Sequence, residues 1–377
     1  MPPGCADGVT GESGGGPIGP SVADRTHGLI HTLFAMKKLR ILALMDQDLM
    51  PPDSTDGLRD RQIAPWKMEY DVLASLRAIG HDAAPLGVGS DLGVIGDAIN
   101  GHRPQIVFNL LEEFSGLGSY VPFVLGYLEL MGQAYTGCNP RGLVLSDNKA
   151  LTKKILRYHR ISVPDFALFP RGKAVRRPSR LAFPLIVKTA AEHGSVAIAQ
   201  ASVVYDDDKL KDRVEFVHDQ QQTDAMAEEY IDGRELYVGV LGNHRLQTLP
   251  IWEMQFENLA EGALPIATDK VKWDQRYQKE RGIKTTGVTD LPEGVEGGIL
   301  RLCKRVYRLL GQTGYARIDL RLTPQGKLYV LESNPNPNLS VGEDFAESAR
   351  SIGIEHHELI QRIVNLGLNA HAEQRAE

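Results

Sequence analysis

At 377 residues the chain is long enough for two or three domains, each with a core of its own. Its 42 Lys and Arg against 48 Asp and Glu leave a net charge of −6. With no long basic run, that balance argues against a dominant nucleic-acid or membrane-surface role and leaves small anionic ligands open. The three cysteines, Cys5, Cys138 and Cys303, show no CxxC or metal-ligand spacing. This fits a reducing cytoplasm rather than a disulfide scaffold. No apolar run approaches the roughly 20 residues of a membrane span.

Residues 1–28 are rich in Gly, Pro and Ser with almost no apolar side chains, too few to bury enough surface to balance their ordering entropy. Residues 1–37 read as a disordered extension. Met36 stands directly before "KKLRILALM" and reads as the natural start, which makes residues 1–35 an addition. Residues 38–145 then alternate strand and helix. "LRILALM" at 39–45 is a strand, 66–80 has helical apolar spacing ending at Gly80, and "DAAPLGV" and 105–111 are strands. Residues 120–132 form an apolar helix ending in Gly132. The series predicts a mostly parallel sheet. Gly87, Gly89 and Gly93 form a GxGxxxG with the wrong spacing, on the second strand rather than the first, so a surface loop is the better reading.

A second unit is expected over 146–232. Ser146 or Asp147 can cap a helix carrying Lys149 and Lys153 at i,i+4 on one face. In "FPLIVKTAAEHGSVAIAQ" a buried strand ends in Lys188, and a small-residue loop leads to a further strand, "VAIAQ". Such a loop suits phosphate, with backbone N–H groups closing on it and the lysine adding charge. An ordinary hairpin with a snorkelling lysine is the alternative. "MAEEYI" is a strand bearing Glu228 and Glu229 that turns at Gly233 into "RELYVGVLG". Its acids can accept from an adenine amino group or ribose hydroxyls, or can be plain surface glutamates.

The third unit, 233–368, holds the hairpin "GYARIDLRLTPQGKLYVLESN" and then "PNPNLS"; residues 369–377 read as a frayed tail. The turn "PQGK" sets Thr323 opposite Leu328. Counting outward places Asp319 opposite Glu332, and Arg317 opposite Asn334 on the same face. Two facing carboxylates repel unless a cation lies between them. Asp, Glu and Asn oxygens suit Mg²⁺, or Mn²⁺; a solvated face with Arg317 neutralising an acid is the alternative. Pro335 and Pro337 stiffen the segment that follows.

"LIVKTAAEHGSVAI", "EEYIDGREL", "GYARIDLRL" and "VLESNPNPNLS", in that order, resemble the ATP-grasp superfamily and within it the D-alanine–D-alanine ligase family, over about residues 38–368. The resemblance implies an α/β, three-domain α+β architecture. A Rossmann-like N-terminal domain would be followed by a lid and a C-terminal sheet domain, with ATP between the last two. It implies a cytoplasmic ligase that activates a carboxylate with ATP as an acyl phosphate and lets an amine attack. An amide or dipeptide, ADP and phosphate result, from small-molecule substrates; relatives are commonly dimers.

The resemblance also assigns roles. Lys149 and Lys188 would reach the phosphates, with Glu192 and Ser195 in the loop above them. Glu228, Tyr230 and Ile231 would meet adenine, and Glu235 the ribose. Lys272 would meet the γ-phosphate, and Asp319, Glu332 and Asn334 would hold the metal. Arg317 and the backbone near Asn338 would stabilise the oxyanion. Three departures bear on the substrate. His193 and Gly194 replace a Gly and Ser of the loop, and Trp273 stands where a tyrosine is common. Glu343 stands near the place of a serine that holds the acceptor carboxylate, where an acid would repel a carboxylate and suit an amine. Glu69 and Glu113 are the candidates for holding the donor amine. Three readings remain: a ligase with other substrates, a true D-alanine–D-alanine ligase, and a non-catalytic nucleotide-binding relative.

Overall fold

In the computed structural model, which describes residues 38–190, 198–292 and 294–376, the chain enters its first sheet at β1 (Arg40–Asp46). Ile41 to Met45 are all buried, the pattern of a central parallel strand covered on both faces. Short α1 (Asp60–Ile63) and α2 (Lys67–Ala78) lead to β2 (Asp82–Val88), and α3 (Gly93–His102) leads to β3 (Ile106–Asn109). The sheet is parallel in the order β2-β1-β3. Alternation sorts β1 between two cores. Ile41, Ala43 and Met45 join Val72 and Leu76 of α2, whereas Leu42 and Leu44 face Ile95 of α3 and Leu125 of α4 (Val121–Leu130).

Next come α5 (Pro140–Asp147) and α6 (Lys149–Tyr158). The cap of α6 is Asn148, whose side chain accepts from the Leu151 amide at 2.9 Å. Ser146 and Asp147, the expected caps, belong instead to α5, which Asn139 and Pro140 start in favourable N-cap and N1 positions. The second sheet is antiparallel, in the order β4-β7-β5-β6. Its strands are β4 (Phe166–Phe169), β5 (Leu185–Thr189), β6 (Val203–Val204) and β7 (Ala225–Glu229), with α7 (Asp207–Gln221) packed against it. The expected strand "VAIAQ" falls partly outside the described residues. Ile198 and Ala199 are irregular and Gln200–Ser202 is a 3₁₀ turn, so the strand pairing with β5 begins only at Val203.

The third sheet contains β8 (Arg234–Leu241) and β9 (Gln247–Phe256). After α8 (Asp269–Trp273) and α9 (Gln275–Arg281) come β10 (Ile283–Gly287) and α10 (Val295–Leu309). The hairpin of β11 (Tyr315–Leu322) and β12 (Leu328–Pro335) completes the order β10-β9-β8-β11-β12, antiparallel throughout. Ala316, Ile318 and Leu320 face Ile299, Cys303 and Val306 of α10 in one core. Arg317, Asp319 and Arg321 therefore share the opposite face. The chain ends with α11 (Asp344–Arg350) and α12 (His356–Gln374). Helix α12 continues six residues past 368, where fraying was expected. Leu359, Ile360, Ile363 and Val364 anchor it to the first sheet's core, and near its end Glu373 and Gln374 meet His244 and Glu129. Among the described residues no helix is long and apolar enough to cross a membrane.

Candidate active site

The β11–β12 hairpin sets the first part of the site. At the turn, Leu322 lies opposite Leu328, one residue out of the expected register. The pairing then skips Leu331, so that Asp319 does lie opposite Glu332 and Arg317 opposite Asn334. A bulge places two residues against one and re-aims the strand beyond it; here it corrects the offset made at the turn. Asp319 is 3% exposed, and Arg317 grips it with two bonds, Nε to Oδ1 at 2.8 Å and Nη2 to Oδ2 at 2.9 Å. Asn334 Nδ2 donates to the same Oδ2 at 2.9 Å, and the remaining arm of Arg317 reaches Asp344 at 2.9 Å. Burial pushes the Asp319 carboxyl up to about 6, against the pull of Arg317, and the charge of Glu332 adds to the rise.

Opposite this pair lies a group of buried lysines. Lys188, at the end of β5, bonds Glu228 Oε1 at 2.5 Å, and Lys153 of α6 pairs with Glu228 Oε2 at 3.0 Å. Lys149, one turn before Lys153, pairs with Glu332 at 3.5 Å. Burial lowers the affinity of Lys149 for its proton; for Lys188 the same burial is outweighed by Glu228 and Glu332, and the net shift is upward. Glu235 closes the far side, accepting from Tyr237 at 2.8 Å and from Arg321 at 2.7 Å. Lys149, Lys188, Glu228, Glu235, Asp319, Arg321 and Glu332 line one cleft open to solvent, with Ile186, Ile198, Ile266 and Ala267 as its apolar wall. Lysines, carboxylates and an apolar slot in one recess suit a ligand with a charged tail and a flat, uncharged head.

The family described as D-ala D-ala ligase C-terminus matches residues 155–365. The D-alanine–D-alanine ligase of Nitratidesulfovibrio vulgaris (strain DP4) is 30% identical, with 81% of this chain and 96% of that protein covered. The chain belongs to the D-alanine–D-alanine ligase family. An uncharacterized protein of Sinorhizobium fredii, y4sG, is 29% identical, with 80% of this chain and 88% of that protein covered. The fold matches the Bacillus anthracis D-alanine–D-alanine ligase complexed with ATP at a TM-score of 0.69 and 22% identity, over 89% of this chain and 99% of that one. The Coxiella burnetii ligase matches at 0.66 and 18% identity, over 89% and 96%. The fold is thus the α+β ATP-grasp arrangement, and the protein is an enzyme of the ATP-dependent carboxylate–amine ligase class.

Of the residues singled out in the sequence of this ligase, Lys149, Lys188, Glu228, Tyr230, Ile231, Glu235, Lys272, Asp319 and Glu332 line the cleft. Arg317 and Asn334 adjoin it through Asp319. The Tyr230 amide is already committed to the Pro184 carbonyl at 2.9 Å. Asn338 uses its side chain to accept from the Ser340 amide at 2.8 Å. Glu192, His193, Gly194 and Ser195 lie outside the described residues, as does the side chain of Trp273. Glu69, Glu113 and Glu343 are not part of the cleft wall. Glu113 is exposed, and exposed Glu343 directly precedes α11 beside Asp344. Glu69, on α2, is 1% exposed; its Oε1 has no partner, and burial, with Glu112 and Asp46 nearby, pushes its carboxyl up to about 7.

Sequence reasoning passed over two residues that the structure brings in. Arg321 follows Arg317 and Asp319 at the strand period, so the alternation in "ARIDLRL" carried the signal. Asp344 carried none, since it meets Arg317 only through the fold. Among the described residues no group of three His, Cys, Asp or Glu is placed to hold a metal ion; the expected set has two carboxylates and an amide.

Proposed function

We propose that this ligase binds ATP in the cleft between its second and third sheets and joins an amino-acid-like carboxylate to an amine through an acyl phosphate. One observation carries the reading: buried Lys149 and Lys188 converge with the facing carboxylates Asp319 and Glu332 on a single recess. Lys149, Lys188 and Lys272 would neutralise the polyphosphate. The apolar wall near Tyr230 and Ile231 would take adenine, and Glu235 the ribose hydroxyls. The family resemblance assigns Glu192 and Ser195 to the phosphates.

The donors of Asp319, Glu332 and Asn334 are all oxygens, and the repulsion between the two acids adds to the raised Asp319 carboxyl, so the set fits a hard divalent cation such as Mg²⁺ or Mn²⁺. When bound, that ion would supply charge neutralisation to the β- and γ-phosphates. In the first step a substrate carboxylate oxygen forms a bond to the γ-phosphorus while the bond to the β-phosphate oxygen breaks, releasing ADP. In the second, the amine adds to the acyl carbon, gives up a proton, and phosphate leaves. Arg317, fixed by Asp319 and Asp344, is preorganised to stabilise the oxygens that gain charge in both steps, and the backbone near Asn338 would assist it.

The relatives named for D-alanine set the comparison for the substrates. Asp344 pairs with Arg317, the residue assigned to the acyl oxygens, and Glu343 directly precedes it, so an acceptor carboxylate would meet repulsion there and an amine would not. Glu69 is the group suited to a substrate ammonium at the first sheet. A cytoplasmic homodimer is the form the family resemblance implies, checked by light scattering. The test of function is ADP release with MgATP across D- and L-amino acids, small carboxylic acids and amines, with mass detection of products. An acid–amine pair other than D-alanine with itself, inactive in Glu332→Ala, supports the reading. Turnover with D-alanine alone overturns the substrate assignment, and ATP binding without turnover on any pair would favour a nucleotide-binding relative.

A further inference from the structure

Lys153 lies four residues after Lys149 on α6 but is not part of the cleft wall. Its side chain is 1% exposed and has two partners from distant parts of the chain. Nζ donates to the carbonyl oxygen of Leu331, the extra residue of the β12 bulge, at 2.8 Å, and pairs with Glu228 Oε2 at 3.0 Å. Lysines are almost never this buried unless paired. Glu228 also holds Lys188, at 2.5 Å through its other oxygen.

A phosphate in the cleft would compete with Glu228, a carboxylate only 4% exposed, for the Lys188 ammonium. Removing the sole partner of a buried charge is strongly unfavourable, so a lone Glu228 would keep Lys188 for itself. Lys153 changes that balance, because the carboxylate retains a cationic partner after Lys188 departs. The bond to Leu331 holds Lys153 in place meanwhile, on the strand that also carries Glu332.

We propose that Lys153 is a positioning residue for nucleotide binding: it keeps Glu228 neutralised against the Leu331 bulge and so frees Lys188 to engage a phosphate. The inference rests on ATP occupying the cleft. Equilibrium dialysis of the full chain against ATP and, separately, adenosine tests it in the native protein, Lys153→Met, Glu228→Gln and the double variant. Lys153→Met is expected to weaken ATP at least tenfold while adenosine, which has no phosphate, stays within twofold. The double variant should bind ATP no more weakly than Glu228→Gln alone, since no buried carboxylate remains to retain Lys188. Lys154→Met, at an exposed neighbouring position, should bind like the native chain. Native ATP affinity in Lys153→Met, equal losses for ATP and adenosine, or additive losses in the double variant would each overturn the inference. Absence of ATP binding in the native protein would instead overturn the ATP assignment itself.

Discussion

Replacing Glu69 by glutamine should make the protein more stable at alkaline pH and leave it unchanged in acid. The native carboxyl is 1% exposed, has an unpartnered oxygen, and holds its proton to about pH 7 instead of the ordinary 4.5. Between those values the folded chain keeps a proton that the unfolded chain has released. Native stability therefore falls as pH rises through this window and levels off above it. The gap corresponds to about 3 kcal/mol at full effect, and glutamine, with nearly the same shape and no charge, escapes it. Thermal unfolding followed by circular dichroism at pH 4.5 and pH 8 gives the comparison. The variant should match the native protein at the lower pH and melt several degrees higher at pH 8. Equal melting at both would mean that the carboxylate has a partner or water in solution, and the reasoning would fail. A substrate ammonium at Glu69 adds a second signature: at pH 8 the substrate should raise the melting temperature of the native protein more than that of the variant.

Lys188→Ala should weaken ATP more than tenfold in equilibrium binding, the loss of about one charge-assisted hydrogen bond. Arg317→Lys gives up the two-point grip on Asp319 and the reach to Asp344; kcat should drop by roughly a hundredfold or more with little change in KM for ATP, as steady-state kinetics would reveal. Gly314 has φ +71°, and a Cβ there would stand 2.5 Å from the Gly137 carbonyl oxygen. Gly314→Ala should accordingly destabilise by more than about 2 kcal/mol, read as a fall in the thermal midpoint.

Much of this fold was legible because its strands obey simple periods. The five buried residues of β1 and the alternation in β11 follow directly from the apolar pattern. The facing of Asp319 and Glu332 was legible for a less secure reason. Counting from the turn assumed an unbroken ladder, and that count was one residue out at Leu322 and correct at Asp319 only because Leu331 bulges. Bulges depend on tertiary contacts, here the bond from Lys153 to Leu331 across 178 residues, so spacing alone does not announce them. The cap of α6 was misplaced because Pro140 lets a separate helix use up Ser146 and Asp147. The end of the chain was misjudged from polar composition, although α12 had already been anchored by its apolar face upstream.

The central claim, ligation through an acyl phosphate formed at this cleft, is tested most directly with a substrate carboxylate labelled with ¹⁸O on both oxygens. After complete turnover with MgATP and amine, the released phosphate should carry one ¹⁸O and the amide should retain the other. Unlabelled phosphate, with the second ¹⁸O found in AMP or in water instead, would contradict the account.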